Sequence, residues 1–235
     1  MGPAILPDML VLHYTGFADT ESAIDYLAEA HGRVSCHYVV SETGEIVQMV
    51  PEQLRAWHAG QSDWEGKTDN NGRSIGIEIQ IPGHDRGYPP FPDEQMRAVI
   101  ALGLDIVTRH GIAPHRVVAH SDIAPHRKID PGEKFDWAWC AREGLGLWVP
   151  PEPLEGAHDV IAEGDDLIAV QLALEAYGYR CPPSGVYDAR TVFVIEAFQR
   201  HFRPAHIDGR ADGSTRRTLE RLLAAKFRSL HHPSG

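Results

Sequence analysis

Residues 9–16 read MLVLHYTG, and this stretch decides the core of the fold. Four apolar residues in succession run directly into His13, which is typical of a short strand buried inside a sheet. A single histidine at the end of such a strand is more often structural than functional. His13 therefore becomes informative only together with the rest of the chain.

Further strands are predicted on both sides of a hairpin turn and beyond it. His37–Val40 and Glu45–Val50 flank the turn sequence SETG. Ser74–Ile81 alternates and is rich in isoleucine, which predicts another strand. Glu78 lies inside this apolar run. Its carboxylate therefore either faces solvent or is held in a pocket where it has a function.

Two helices are predicted between these strands and after them. Thr20–Ala30 carries apolar residues at helical spacing. Asp93 is expected to be the N-cap of a second helix that runs to about Arg109, with Gly111 as its stop signal. Strands interleaved with helices predict an α/β fold class, with a mixed central sheet flanked by helices.

A proline-rich segment divides the chain. Residues 148–153 read WVPPEP, and prolines at this density cannot continue a helix or a central strand. We therefore expect a first domain over residues 1–148, a linker over 149–153 and a second domain over 154–235. Apolar residues spaced three or four apart in the second domain predict a small three-helix bundle. These are Leu167, Val170, Leu174 and Tyr177, then Val194, Phe198 and Phe202, then Leu219, Leu222 and Leu223.

Composition excludes several classes of protein. The net charge of −11, with no dense block of Lys and Arg, argues against a nucleic-acid partner. No apolar run is long enough to span a membrane. The first residues lack the basic region and cleavage site of a secretory signal, which favours the cytoplasm, whereas a trimmed chain would fit the periplasm. Three cysteines without a CxxC pair favour neither a disulfide framework nor a thiolate zinc site.

The stretch Ala119–Gly132, AHSDIAPHRKIDPG, is the densest group of polar residues with chemical potential. Its two prolines predict an irregular loop in which these side chains can converge. Two histidines and one carboxylate suffice to hold a catalytic zinc with one position left for water. The HExxH metalloprotease helix is absent. From the residues alone, a solvated polar loop is the alternative interpretation of this stretch.

Five segments in order, LHYTG, RVSCHYVV, AWHAG, SIGIEI and HSDIAPHRKIDPG, resemble the type 2 N-acetylmuramoyl-L-alanine amidases of the AmpD and AmiD kind. The resemblance covers about residues 9 to 140. It implies a zinc-dependent enzyme that hydrolyses the amide between N-acetylmuramic acid, or its anhydro form, and the L-alanine of the stem peptide. Polymeric peptidoglycan and small anhydro-muropeptides both remain possible substrates.

The resemblance also implies a set of site residues. His13, His120 and Asp130 match the positions that bind Zn²⁺, with zinc-bound water as the nucleophile. Glu78 matches the general base, and Lys128 the group that stabilises the oxyanion. A non-catalytic peptidoglycan-recognition module is the alternative function. Because such relatives typically lose a ligand, the complete set favours the enzyme.

Three more residues are candidates for substrate binding. Arg33 and Arg127 resemble the family's clamps for stem-peptide carboxylates, which suit bidentate guanidinium pairing. His58, in AWHAG, resembles a cleft residue near the scissile bond. The alternatives are surface charge for the arginines and a packed ring for His58. His37 could support the metal site or be purely structural.

The second domain carries a resemblance of its own. GVYDARTVFVIEAFQRHFRP and ADGSTRRTLERLL, within residues 185–223, resemble the three-helix peptidoglycan-binding module. This implies peptidoglycan fragments or glycan strands as partners. The same module also occurs as a packing unit without affinity for ligands.

Overall fold

The structure is a computed structural model, and it describes residues 6–29, 34–154 and 161–231. In these ranges it contains one five-stranded sheet and seven α-helices. The strands are β1 (Met9–Tyr14), β2 (Tyr38–Val40), β3 (Ile46–Gln48), β4 (Ser74–Ile79) and β5 (Val117–Ala119). The helices are α1 (Thr20–Ala28), α2 (Asp93–His110), α3 (His120–Ile123), α4 (Trp137–Arg142), α5 (Gly164–Tyr177), α6 (Ala189–Phe202) and α7 (Gly213–His231).

The sheet is mixed, as the sequence predicts. Its strand order is β3-β2-β4-β1-β5. β1 runs parallel to both β4 and β5, and β2 runs parallel to β4. β3 alone is antiparallel, because it forms with β2 the hairpin expected from the SETG turn. The carboxyl ends of β1, β4 and β5 therefore meet at one edge of the sheet.

The two faces of the sheet have different partners, because side chains alternate along each strand. One face is purely apolar: Leu10, Leu12 and the three isoleucines of β4 pack there with residues of α2 and α4. The opposite face carries the odd-numbered residues of β1 and the even-numbered residues of β4. The β1–β4 register places Val11 beside Gly76 and His13 beside Glu78 on that face.

Helix α2 begins one residue earlier than predicted. Its N-cap is Pro92, and Asp93 is the first helical residue, so the expected capping by Asp93 is wrong. The two acids of the first turn still stabilise the helix through its dipole. Gly111 ends it in the left-handed conformation with φ 64°, as predicted.

The three predicted C-terminal helices, α5, α6 and α7, pack on the sheet and share its core. Met9, Val11 and Val118 belong to the same buried cluster as residues of all three helices. Trp64 is fully buried against Tyr177 and Tyr179. One face of the sheet and the C-terminal helices therefore share one apolar core cluster.

The proline-rich segment is fixed to the last helix. The backbone N–H of Glu152 donates to the Thr218 hydroxyl at 2.9 Å, and the Ser214 hydroxyl donates to the Glu152 carbonyl at 2.6 Å. These two hydrogen bonds thus hold this part of the linker against α7. Among the helices of the described ranges, none has both the length and the apolar character needed to cross a bilayer.

Candidate active site

Three side-chain atoms predicted to bind zinc converge at the carboxyl edge of the sheet. Nδ1 of His13 lies 2.9 Å from Nδ1 of His120 and 3.1 Å from Oδ2 of Asp130. Nδ1 of His120 lies 3.0 Å from the same carboxylate oxygen. All three residues are buried, so the sequence-based grouping of His13, His120 and Asp130 is matched by the geometry.

The fold explains why residues more than a hundred positions apart meet here. His13 lies near the end of β1, and His120 follows directly after β5, the parallel neighbour of β1. The loop after α3 then turns back on the helix. The Ser121 N–H donates to the Asp130 carbonyl at 3.0 Å, which brings the Asp130 carboxylate beside both rings.

A chain of hydrogen bonds behind His13 determines which ring nitrogen faces the site. The Ser74 hydroxyl donates to the Asn70 carbonyl, so its oxygen is free to accept from Nε2 of His58 at 3.3 Å. Nδ1 of His58 must then accept from Nε2 of His13 at 3.0 Å. The lone pair on Nδ1 of His13 consequently points at Asp130 and His120. A second contact of this type orients the other ligand: Nε2 of His120 donates to the Ala59 carbonyl at 3.2 Å.

The electrostatics favour a neutral His13 imidazole beside an ionised Asp130 carboxylate. Burial, with a smaller effect from His120, lowers the pKa of His13 to about 4. Burial opposes ionisation of Asp130, but the two histidines outweigh it and hold the pKa of that carboxyl well below its usual range. At neutral pH His13 and Asp130 therefore both offer an electron pair at this point.

This donor set fits a zinc ion. Ligand atoms at the usual Zn–N and Zn–O distances lie about 3.3 Å apart in a tetrahedral site. The three observed separations are only a few tenths of an ångström shorter. Two nitrogens and one carboxylate oxygen also match the ligand types of catalytic zinc sites, which leave a fourth position open.

Glu78 lies beside this group on the same face of the sheet. Its register partner is His13, and it lines the same cleft. Among the described residues, Oε2 of Glu78 has no hydrogen-bond partner. Burial, together with the nearby charge of Asp130, raises the pKa of Glu78 well above its usual value, while Lys128 acts in the opposite direction. A buried carboxyl of this type is suited to taking up a proton.

The cleft above these residues has a volume of about 290 Å³. Lys128 and Arg127 line it, as does the ring of Trp57, which is 42% exposed and stacks under the Arg55 guanidinium at 4.2 Å. The indole forms an exposed wall of the cleft. Arg33 lies outside the described residues.

The guanidinium of Arg127 spans a backbone bend at the rim of the cleft. Its Nε donates to the Gln61 carbonyl at 2.9 Å, and its Nη2 donates to the carbonyl of Ala59. A Cβ at Gly60 would lie 2.8 Å from Nη2, so only glycine allows this close approach. Arg127 therefore fixes the segment whose carbonyl orients His120, in addition to facing the cleft.

Two histidines of the motif segments are support residues. His58 is buried beneath His13, and its ring occupies the space that a side chain at position 76 would need, since a Cβ there would lie 2.4 Å away. His37 accepts the Gly76 N–H at Nδ1 and donates from Nε2 to the Leu54 carbonyl, both at 3.0 Å. The glycine in SIGIEI leaves the room that this packing of the His58 ring on the strand requires.

Asp122 is the functional residue that the sequence missed. It was assigned to a loop, yet it lies in α3, two positions after His120, and is fully buried. Its Oδ2 accepts the Ala119 N–H at 2.8 Å and Nδ1 of His201 at 2.7 Å, and its Oδ1 accepts the Tyr179 hydroxyl at 2.6 Å. The C-terminal bundle thus holds the helix that presents His120.

Comparison with known proteins agrees with this geometry. The family profile of N-acetylmuramoyl-L-alanine amidase matches residues 3–133, more than half of the chain. The chain belongs to this amidase family. A profile described as a putative peptidoglycan binding domain matches residues 163–219. The predicted family resemblance and enzyme class are therefore confirmed.

Individual relatives cover both parts of the chain. N-acetylmuramoyl-L-alanine amidase AmiD of Escherichia coli is 38% identical, over 92% of this chain and 82% of its own. AmpD of Citrobacter freundii, a 1,6-anhydro-N-acetylmuramyl-L-alanine amidase, is 40% identical over 53% of this chain and 65% of its own.

Solved structures of relatives confirm the fold. AmiD from E. coli, in complex with anhydro-N-acetylmuramic acid-L-Ala-D-gamma-Glu-L-Lys, superposes with a TM-score of 0.80 at 38% identity, covering 95% of this chain and 90% of its own. AmpDh3 from Pseudomonas aeruginosa superposes with a TM-score of 0.78 at 31% identity, covering 98% and 94%.

Proposed function

We propose that this protein is a zinc-dependent amidase that hydrolyses the bond between anhydro-N-acetylmuramic acid, or N-acetylmuramic acid, and the L-alanine of the stem peptide. The observation that carries the proposal is the convergence of His13, His120 and Asp130 within about 3 Å, next to Glu78, whose buried Oε2 has no hydrogen-bond partner among the described residues. The relatives named above act on, or were crystallised with, anhydro-muramyl compounds, which supports the substrate class.

His13, His120 and Asp130 are the proposed zinc ligands. The second ring nitrogen of each histidine is hydrogen-bonded, and a backbone hydrogen bond from Ser121 holds Asp130 in position. A zinc ion held by these three residues would lower the pKa of a bound water and polarise the scissile carbonyl. Glu78 takes the proton from the attacking water, a role worth roughly 10²–10⁴-fold in rate. Its raised pKa also allows it to hold that proton for the leaving amine.

Lys128 is the proposed electrostatic partner of the oxyanion. It lines the cleft together with the ligand residues, and its fixed positive charge is available as negative charge develops on the carbonyl oxygen. Arg127, on the rim, supplies the positive charge for a stem-peptide carboxylate. We assign His58 to the orientation of His13, on the basis of their 3.0 Å hydrogen bond.

The C-terminal bundle is a second proposed point of contact with peptidoglycan, because it matches a peptidoglycan-binding profile. Fragments of peptidoglycan are the proposed ligands of the whole protein. The alternative function, recognition without catalysis, is disfavoured because all three ligand atoms, Glu78 and Lys128 are in place at one cleft.

Cleavage of a defined substrate tests the proposal. Purified protein is incubated with anhydro-N-acetylmuramyl-L-Ala-D-γ-Glu-L-Lys, and the products are identified by mass, with metal content measured on the same sample. We expect anhydro-N-acetylmuramic acid and the free tripeptide, about one zinc per chain, and loss of both zinc and turnover in His120→Ala. An intact substrate with fully zinc-loaded protein would reject the amidase function.

A further inference from the structure

Tyr88 is a buried aromatic residue with a strained backbone, and it contacts the segment that follows Asp130. Its φ is 34°, in the left-handed region, and the residue is 5% exposed. A bulky residue rarely adopts this conformation, and the strain persists only where the surrounding structure enforces it, often at functional sites. Tyr88 has no role in the proposed chemistry, so its contacts have to explain why the strain is kept.

The Tyr88 hydroxyl lies inside the segment directly after Asp130. It donates to the Pro131 carbonyl at 2.8 Å and accepts the Lys134 N–H at 2.9 Å. Pro131 is buried and has no N–H, so its carbonyl is the only backbone group through which it can form a hydrogen bond. A Cβ at Gly132 would lie 2.2 Å from the Tyr88 hydroxyl, so only glycine admits the tyrosine here.

His84 connects the same segment to β1. Its ring stacks on that of Tyr88, with the ring centroids 3.9 Å apart. Nε2 of His84 donates to the Glu133 carboxylate at 3.1 Å, so Nδ1 of the neutral ring accepts from the Tyr14 hydroxyl at 3.0 Å. Tyr14 directly follows His13 in β1. Side chains thus link the backbone beside one proposed ligand to the backbone beside another.

Asp130 is the proposed ligand that most needs such support. His13 lies in β1 and His120 is the first residue of α3, whereas Asp130 belongs to no helix or strand. The Asp130 carbonyl accepts the Ser121 N–H, and Tyr88 holds the next carbonyl along the chain. The direction of the Asp130 carboxylate therefore depends on two consecutive carbonyls, each held by a hydrogen bond from another segment.

We propose that Tyr88 and His84 are positioning residues, which hold the Asp130 carboxylate in the orientation that binds Zn²⁺. The inference rests on the proposed zinc-dependent function and goes beyond the assignment of the three ligands. Both rings act through residues 131–134 rather than through contact with substrate. Loss of either should therefore weaken metal binding and change the ligand geometry of the bound metal, although all three ligand side chains remain.

Removal of the Tyr88 hydroxyl tests the inference in the full-length protein. Tyr88→Phe keeps the ring but releases the Pro131 carbonyl. Competition against a chromophoric chelator should show Zn²⁺ bound about tenfold more weakly, at the low end of the range for groups that orient a ligand. Tyr38→Phe is the matched control, because this buried hydroxyl also forms two hydrogen bonds, to Glu52 at 2.7 Å and from Gln48 at 3.2 Å. It lies on β2, which β4 separates from β1, so the control should lose thermal stability and keep the zinc affinity of wild type.

Two further measurements assign the same role to His84. His84→Ala should also weaken zinc binding about tenfold. Tyr14→Phe should have no further effect on zinc affinity in that background, because it acts only through His84. The visible absorption of the Co²⁺-loaded protein, which reports ligand geometry, should change in Tyr88→Phe and His84→Ala and match wild type in Tyr38→Phe.

The zinc affinities decide the inference separately from the proposed function. If Tyr88→Phe and Tyr38→Phe lose zinc affinity to the same extent, or if neither does, Tyr88 is only structural and the inference is overturned. Unchanged affinity in His84→Ala would exclude His84, and wild type that binds no Zn²⁺ would overturn the whole inference, with product masses then deciding the amidase function. Zinc-loaded wild type that leaves the muramyl substrate intact would reject the amidase function, while the zinc and cobalt measurements still decide the role of the two rings.

Discussion

Tyr179→Phe tests whether the C-terminal bundle supports the metal site. The Tyr179 hydroxyl donates to Oδ1 of Asp122 at 2.6 Å, and both side chains are buried. Asp122 in turn fixes the start of α3 through its bond to the Ala119 N–H. The variant keeps the aromatic ring and its packing, so it removes one hydrogen bond to a buried carboxylate and little else.

The size of the effect follows from that single bond. A hydrogen bond to a charged group contributes about 1.5–3 kcal/mol. In a protein of 150–250 residues each kcal/mol changes the melting temperature by about 2–4 °C, so we expect a decrease of roughly 3–12 °C. Because α3 carries His120, zinc affinity should also fall. The loss should not exceed roughly 10-fold, which is the smallest loss expected when a group that contacts a metal ligand directly is mutated.

Thermal melts of the metal-free protein and zinc competition against a chromophoric chelator measure the two effects. Tyr187→Phe is the matched control, since its hydroxyl accepts the Ala211 N–H at 3.0 Å within the bundle. The control should lose a smaller amount of stability and keep its zinc affinity. If Tyr179→Phe binds zinc as tightly as the control does, the bundle does not support the metal site and Asp122 is merely structural.

Four further outcomes are expected. Glu78→Gln should retain zinc and lose about 10²–10⁴-fold in kcat, and near-normal turnover would exclude Glu78 as the general base. His120→Ala should fail to retain zinc on dialysis, and unchanged metal content would exclude it as a ligand. The hydrogen bond from Arg109 is the largest of several causes that lower the pKa of Glu52 from its ordinary 4.5 to about 2. Glu52→Gln should therefore lower the free energy of unfolding by about 2–3 kcal/mol at neutral pH. In denaturant titrations this difference from wild type should shrink as the pH falls from 4.5 toward 2, and a constant difference would contradict the reasoning. Truncation before residue 154 should lower the melting temperature and impair cleavage of soluble and insoluble substrates alike, and selective loss on insoluble wall would instead indicate an independent targeting domain.

Local sequence signals were sufficient for the parts of the site that lie on regular elements. The short apolar run before His13 and the alternation around Glu78 each predict a strand, and the two residues are register partners in the sheet. Two histidines and an aspartate were grouped by family resemblance, and the parallel pairing of β1 with β5 supplies the physical reason for their proximity.

Contacts between distant segments could not be predicted from local patterns. Nothing near Asp122 in the sequence indicates that its partners are Tyr179 and His201, because both lie more than fifty residues away. The position of His58 depended in the same way on the absence of a side chain at Gly76. The strand pattern of SIGIEI is satisfied by any small residue there, whereas the packing of the ring requires glycine.

The alternation of side chains along β1 connects the site residues on regular elements with the contacts between distant segments. On the face that bears His13, the preceding inward-facing residues of β1 are Met9 and Val11, and the C-terminal helices cover them. One strand face therefore serves the metal site at its carboxyl end and the bundle interface along the rest of its length. Removing the bundle would expose this apolar surface to water and leave Asp122 without two of its partners. Stability and metal binding are for this reason expected to change together when the bundle interface or α3 is altered.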